Sequence, residues 1–208
     1  MMRRRMLVAG LLPAAPAALL AGCGSTFNRP FPDKAIFTLQ VPRPGPRDPA
    51  RRPRPLLMRD VTAAANAEAR GLVSRLAGNR QQTDFWNEFA LPPARLVDDQ
   101  LRRWLEASGA ASAVLDPGSL GEAAIALEVS LLALYADLAD AARPAAVASL
   151  SVMLLNTARR PPSLISQAML TERAPLASAD PGAIVAGMNA ALASLFAEIE
   201  RRVRAAMG

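Results

Sequence analysis

A single thiol, Cys23, and a complete lack of histidine set the chemical limits of this 208-residue chain. Without imidazole it has no commonest general base, no usual zinc ligand, and no serine-histidine or cysteine-histidine nucleophile. Carboxylate pairs remain. Glu198 and Glu200 lie two apart on a helical pattern, so they point in different directions and do not converge on one bond as paired catalytic acids do. Both are expected on the polar side of that helix. Asp98 and Asp99 precede Arg102 and Arg103 by four residues, the spacing and order of ion pairs on a helix surface. No Gly-x-x-x-x-Gly-Lys-[Ser/Thr] loop and no strand-linked Gly-x-Gly-x-x-Gly stretch offers a cradle for phosphates. No catalytic residue, cofactor or metal is expected.

What Cys23 can do follows from its neighbours. The chain opens on Met-Met-Arg-Arg-Arg, continues through an apolar run from Met6 to Leu20, and then presents the small residues Ala21 and Gly22, the three regions of a secretory leader. The run falls short of the ~20 residues a membrane span needs and is broken by Pro13 and Pro16. Leu20-Ala21-Gly22-Cys23 resembles the bacterial lipobox, in which the cysteine takes diacylglycerol and palmitate and the leader is cut just before it. Residues 1–22 therefore read as a lipoprotein signal peptide and 23–34, rich in Gly, Ser, Asn and Pro, as a tether. One cysteine permits no intramolecular disulfide. Arg4-Arg5 also fits a twin-arginine leader, so the Sec and Tat export routes both stay open. Gly24 rather than Asp follows the cysteine, which favours an outer-membrane anchor facing the periplasm over retention in the inner membrane.

The charge balance argues against nucleic acid. The formal charge of +6 falls to +3 when Arg3, Arg4 and Arg5 leave with the leader. The other arginines are scattered among alanines, without the basic stripe and interleaved aromatics that backbone tracking and base stacking require. One basic concentration stands out: residues 42–55 set six prolines among Arg43, Arg47, Arg51, Arg52 and Arg54. So many missing N–H donors favour an extended, solvated loop. The same arginines could instead dock anionic headgroups or an acidic partner.

The elements that must position these residues are read from periodicity. Residues 35–41 alternate, with Phe37, Leu39 and Val41 on one side, and predict a first strand. Residues 56–61 and 72–75 predict two more, closed by Gly78-Asn79. A helix is expected over 91–107, with Pro92 and Pro93 in its first turn, Val97, Leu101, Trp104 and Leu105 on one face, and Gly109 as its stop. Residues 125–135, 147–156 and 164–172 predict three strands whose short connections favour an antiparallel meander. A second helix over 181–206, capped by Asp180, repeats Ile184, Met188, Leu192, Leu195, Ile199 and Val203 at helical spacing. The expected fold class is α+β: a two-layer sandwich with a mixed or antiparallel sheet of about six strands and two helices on one face, in the order βββαβββα. Phe85, Trp86 and Phe89 cluster before the first helix, where they either plug the end of the core or line a groove for a lipid or protein partner.

Taken together, the lipobox, Phe37-Thr38-Leu39, the stretch from Phe85-Trp86 to Pro92-Pro93 leading into Leu96, Leu101 and Leu105, and the C-terminal amphipathic helix resemble the ABC-type transport auxiliary lipoproteins, also called PqiC-like. The likeness runs from about Cys23 to the C-terminus and assigns 35–208 to that domain. Ser74, where the family's pattern has an aromatic, and Phe89, where it has tryptophan, depart from it. The resemblance implies a non-enzymatic periplasmic lipoprotein that serves intermembrane lipid transport by binding an MCE-domain protein and the permease and ATPase of an ABC transporter, with self-association left open. A structural envelope lipoprotein supporting a secretion or assembly machine is the alternative.

Overall fold

The computed structural model describes residues 33–50 and 53–208. Its backbone is an antiparallel meander of three long strands: β7 (Ile125–Asp137), β8 (Ala145–Asn156) and β9 (Ser163–Pro175). Pairing runs from Ile125 opposite Asn156 to Asp137 opposite Ala145, and from Asn156 opposite Ser163 to Ala145 opposite Pro175. Alternation decides which residues enter the main core. Ala146, Ala148, Leu150, Val152 and Leu154 of β8 belong to the main core, while Ser149 and Ser151 lie on the other face.

The free edge of β7 is shared by three shorter strands, each running parallel to it: β2 (Leu56–Met58), β3 (Thr62–Ala63) and β4 (Gly71–Leu76). From β4 the sheet continues through antiparallel β5 (Arg80–Phe89) to parallel β1 (Ala35–Phe37), and from β2 to parallel β6 (Val114–Leu115). Among the described residues the result is α+β with one mixed sheet of nine strands and two α-helices. The expected count of about six was low because β3 and β6 are two residues long and β5 carries no periodic signal.

Helix α1 (Pro93–Ser108) ends where Gly109 takes φ 74°, a left-handed turn that a side chain resists, and α2 (Pro181–Met207) closes the chain. Both helices bury one stripe in the same core as the strands, and Trp104 of α1 meets Phe196 of α2 edge to face at 5.7 Å. Each fully buried Leu or Phe here contributes about 1.5–3 kcal/mol of transfer free energy. α2 has the length and apolarity of a membrane span, yet its Ile184, Met188, Leu192, Phe196 and Ile199 are committed to this core. Asp180 occupies the N-cap position through its carbonyl, which accepts from Ile184 N–H at 2.9 Å, while its carboxylate takes the Ser178 hydroxyl instead of capping.

Two expectations are corrected by where backbone donors go. Residues 38–41 leave the sheet although Leu39 and Val41 are buried as their alternation implied. Gln40 N–H is taken by the Asn189 side chain of α2 and Val41 N–H by that of Gln100 on α1, so helix amides replace the ladder. Likewise the strand expected to Val61 ends at Met58, and Val61 N–H donates to Asp98 at 3.0 Å. Asp98 is thus partly a backbone acceptor, 3.8 Å from Arg102, whereas Asp99 and Arg103 form the expected surface pair at 3.0 Å.

The second helix holds the largest correction. Glu198 is half-buried and pairs with Arg201 and Arg202, but Glu200 is only 7% exposed. Its oxygens accept from Arg43 at 2.8 and 3.0 Å, Trp104 Nε1 at 2.9 Å and Arg204 at 2.8 Å. Arg43 therefore belongs to no free basic patch. It fastens the proline-rich loop to α2 through Glu200, and that loop is further held by Asp48 N–H to Ser108 O of α1 and Arg54 to Met207 O.

Candidate partner-binding surface

Strand β5 is interrupted in the middle. Gly71 pairs with Glu88 and Val73 with Thr83, so four residues of β5 span the place of one on β4. The excess is folded by Asp84, whose Oδ1 accepts from Trp86 N–H at 2.8 Å and Asn87 N–H at 3.1 Å, while its Oδ2 takes the Asn87 amide at 2.8 Å. Opposite this bulge only glycine fits: a Cβ on Gly71 would stand 2.3 Å from the Asp84 carbonyl oxygen. Gly71→Ala should therefore lower stability by ~1–3 kcal/mol through forced backbone displacement, read as a fall in thermal midpoint. An unchanged midpoint would contradict this account of the bulge.

The bulge pushes Phe85 and Trp86 outward, at 72% and 37% exposure, with their rings in a T-shaped pair at 5.1 Å. Lys34 Nζ lies 5.2 Å from the Phe85 ring centroid and also pairs with Glu88 at 2.9 Å, and Arg70 reaches the same carboxylate at 3.0 Å. The hydrogen bond from Lys34, with the charge of Arg70, holds the Glu88 carboxyl below its ordinary range. The surface is thus two adjoining aromatic rings within a fixed rim of charge, suited to a partner that offers an apolar pocket bordered by polar groups.

Phe89 is different. At 2% exposure it lies in the core, where β5 regains its pairing with β1 opposite Phe37, so it supports the surface from beneath and offers no ring to a partner. The expectation grouping the three aromatics is corrected on this point. Leu20, Ala21, Gly22 and Cys23 lie outside the described residues.

The family model for the ABC-type transport auxiliary lipoprotein component matches residues 37–200. The chain belongs to this family. Auxiliary lipoproteins of this kind are components of ABC-type transport, which associates the chain with such a system and with a membrane-anchored place in the cell envelope. Among curated proteins none matches the chain. Its fold is shared by a Xanthomonas campestris protein described as DUF330, at 22% identity and TM-score 0.70, over 80% of this chain and 92% of that one. A Chlamydia trachomatis protein is similar at 17% identity and TM-score 0.54, over 74% and 98% of the two chains. An uncharacterised protein at 14% identity and TM-score 0.63 covers 82% of the auxiliary lipoprotein and is itself covered over 99%. At these identities the likeness carries the fold alone.

Sequence reasoning missed Gly71 and Asp84, the two residues that build the surface. The signal was present in Asp84-x-x-Asn87, an Asx-turn spacing placed within an otherwise extended stretch.

Proposed function

We propose that this auxiliary lipoprotein is non-enzymatic and acts by binding protein: anchored through Cys23 in the outer membrane and facing the periplasm, it engages the MCE-domain protein of an intermembrane lipid transporter through Phe85 and Trp86. The observation that carries the reading is the aromatic pair held outward on a hydrogen-bonded bulge. Rigid, exposed aromatics are the residues from which binding hot spots are made, since they bring large contact area at little cost in conformational entropy. Family membership supplies the ABC transport system as context. The buried carboxylates support a role without acid/base chemistry, because Asp137 and Glu200 are both engaged by arginines.

The test uses the full-length lipoprotein in neutral detergent and the periplasmic part of each MCE-domain protein of the same organism. Binding is expected at micromolar concentration or tighter. Trp86→Ala should weaken it at least ~10-fold, the scale of a hot-spot truncation, while moving the thermal midpoint little, because Trp86 is already partly solvated. If the folded protein ignores every MCE-domain partner and instead captures a component of a secretion or assembly machine, the structural-lipoprotein alternative replaces this reading.

A further inference from the structure

A separate charged constellation lies where β4, β7 and β9 approach one end of the sheet. Asp137, the last residue of β7, accepts from Arg75 of β4 through both oxygens, at 3.1 and 2.5 Å, and from Arg173 of β9 at 2.7 Å. The carboxylate side chain is 8% exposed, whereas Arg75 is 39% and Arg173 50% exposed. The buried anion thus holds two guanidinium groups at the surface. Both bond the same oxygen, so their nitrogens stand within about 5 Å of one another. Arg75 is further steadied over the Tyr135 ring at 5.4 Å.

One negative charge serves two positive ones. A strap joining the strands needs only one arginine on Asp137, and the second leaves an excess cation next to a like charge. These two guanidiniums, with Arg143 from the β7–β8 loop, line an open cleft of about 790 Å³. Arg143 is balanced by Asp140 at 2.8 Å, so the lining keeps a net charge of one positive unit. Arg75 Nη1 and Arg173 Nε and Nη1 have no partner among the described residues and belong to exposed side chains. Paired guanidinium forks with free N–H groups match the oxygens of a phosphate, which they hold by short charge-assisted hydrogen bonds.

We propose that the Arg75–Arg173 cleft, with Arg143 at its mouth, is a binding site for a phosphate group, carried either by an anionic lipid headgroup or by free phosphate. Asp137 is the positioning residue: it holds the two arginines side by side through its own oxygens and does not itself touch the ligand. The site stands on different residues from the aromatic surface, so either can fail alone.

The experiment titrates the full-length lipoprotein in neutral detergent with inorganic phosphate, short-chain phosphatidylglycerol and short-chain phosphatidylcholine, followed by calorimetry. Saturable binding of phosphate or phosphatidylglycerol is expected at millimolar concentration or tighter, and Arg173→Gln should weaken it about tenfold. Tighter binding of phosphatidylglycerol than of phosphate identifies the headgroup as the source, and equal or weaker binding identifies free phosphate. Arg143→Gln, at a side chain 87% exposed, alters no buried contact and should weaken binding several-fold even if the Arg173 variant folds poorly. No saturable binding of either ligand up to about 10 mM, affinity unchanged in both variants, or equal affinity for phosphatidylcholine overturns the proposal.

Discussion

Glu200→Ala is expected to cost ~3–5 kcal/mol of folding free energy, because removing one partner of a buried charge network strands the others. Arg43 keeps only 13% of its side chain exposed, and Trp104 Nε1 would lose its acceptor inside the core. With total stabilities of ~5–15 kcal/mol, this is a large share of what holds the domain together. It should lower the thermal midpoint by roughly 10 °C. Glu200→Gln keeps an oxygen for Trp104 and should cost less. A midpoint within about 2 °C of wild type for the alanine variant would show that the network is dispensable.

The same carboxylate sets a pH dependence. Burial alone would push the Glu200 carboxyl up, but hydrogen bonds from Arg43, Arg204 and Trp104 together outweigh it and hold it below its ordinary 4.5. Asp137 is held well below the usual carboxylate range, first by the hydrogen bond from Arg75, against burial, and then by Arg173 and the Ala139 N–H. A carboxyl whose folded value is depressed binds protons more readily when unfolded. Its stabilisation is therefore complete at neutral pH and is lost as the pH falls below 4.5 and through the folded values. In denaturant unfolding at neutral and acidic pH, Glu200→Gln should show a shallower loss than wild type.

How far such features could be read in advance depended on how local their causes are. Strands β7 and β8 were legible because their apolar residues enter the core that the helices cover, whereas β9 was legible by its β-rich composition although Leu164, Ile165 and Met169 are exposed. β5 was not, since most of its residues are exposed on both faces and the Asp84 bulge resets the parity between Phe85 and Phe89. The aromatics were legible as a group, but which ring points outward was decided by that bulge. Glu200 was misplaced although a local sign existed: it stands four residues after Phe196 and three before Val203, on the buried stripe. The reason it can lie there, Arg43 at a separation of 157 residues and Trp104 at 96, is nonlocal and has no sequence signature.

Cys23→Ser should release the protein from the membrane fraction almost completely. In the proposed anchor two or more acyl chains each bury many methylenes at ~0.8 kcal/mol apiece, and two chains suffice for stable attachment where one gives only reversible binding. The folded domain has little to set against that loss. Its net charge after leader removal is +3, and a surface charge contributes only about 1 kcal/mol per residue near an anionic leaflet and is screened by salt. The helix that could pass for a span is committed to the core. After a high-salt wash the wild type should stay with the membranes and, on a density gradient, travel with outer-membrane markers, as Gly24 after the cysteine suggests. The serine variant should appear in the soluble periplasmic fraction with the wild-type thermal midpoint, since the anchor lies outside the folded unit that begins at Lys34. Retention of the washed variant would show that some other part of the chain holds the membrane. Wild-type protein banding with inner-membrane markers would leave the anchor intact and overturn only its place in the outer membrane.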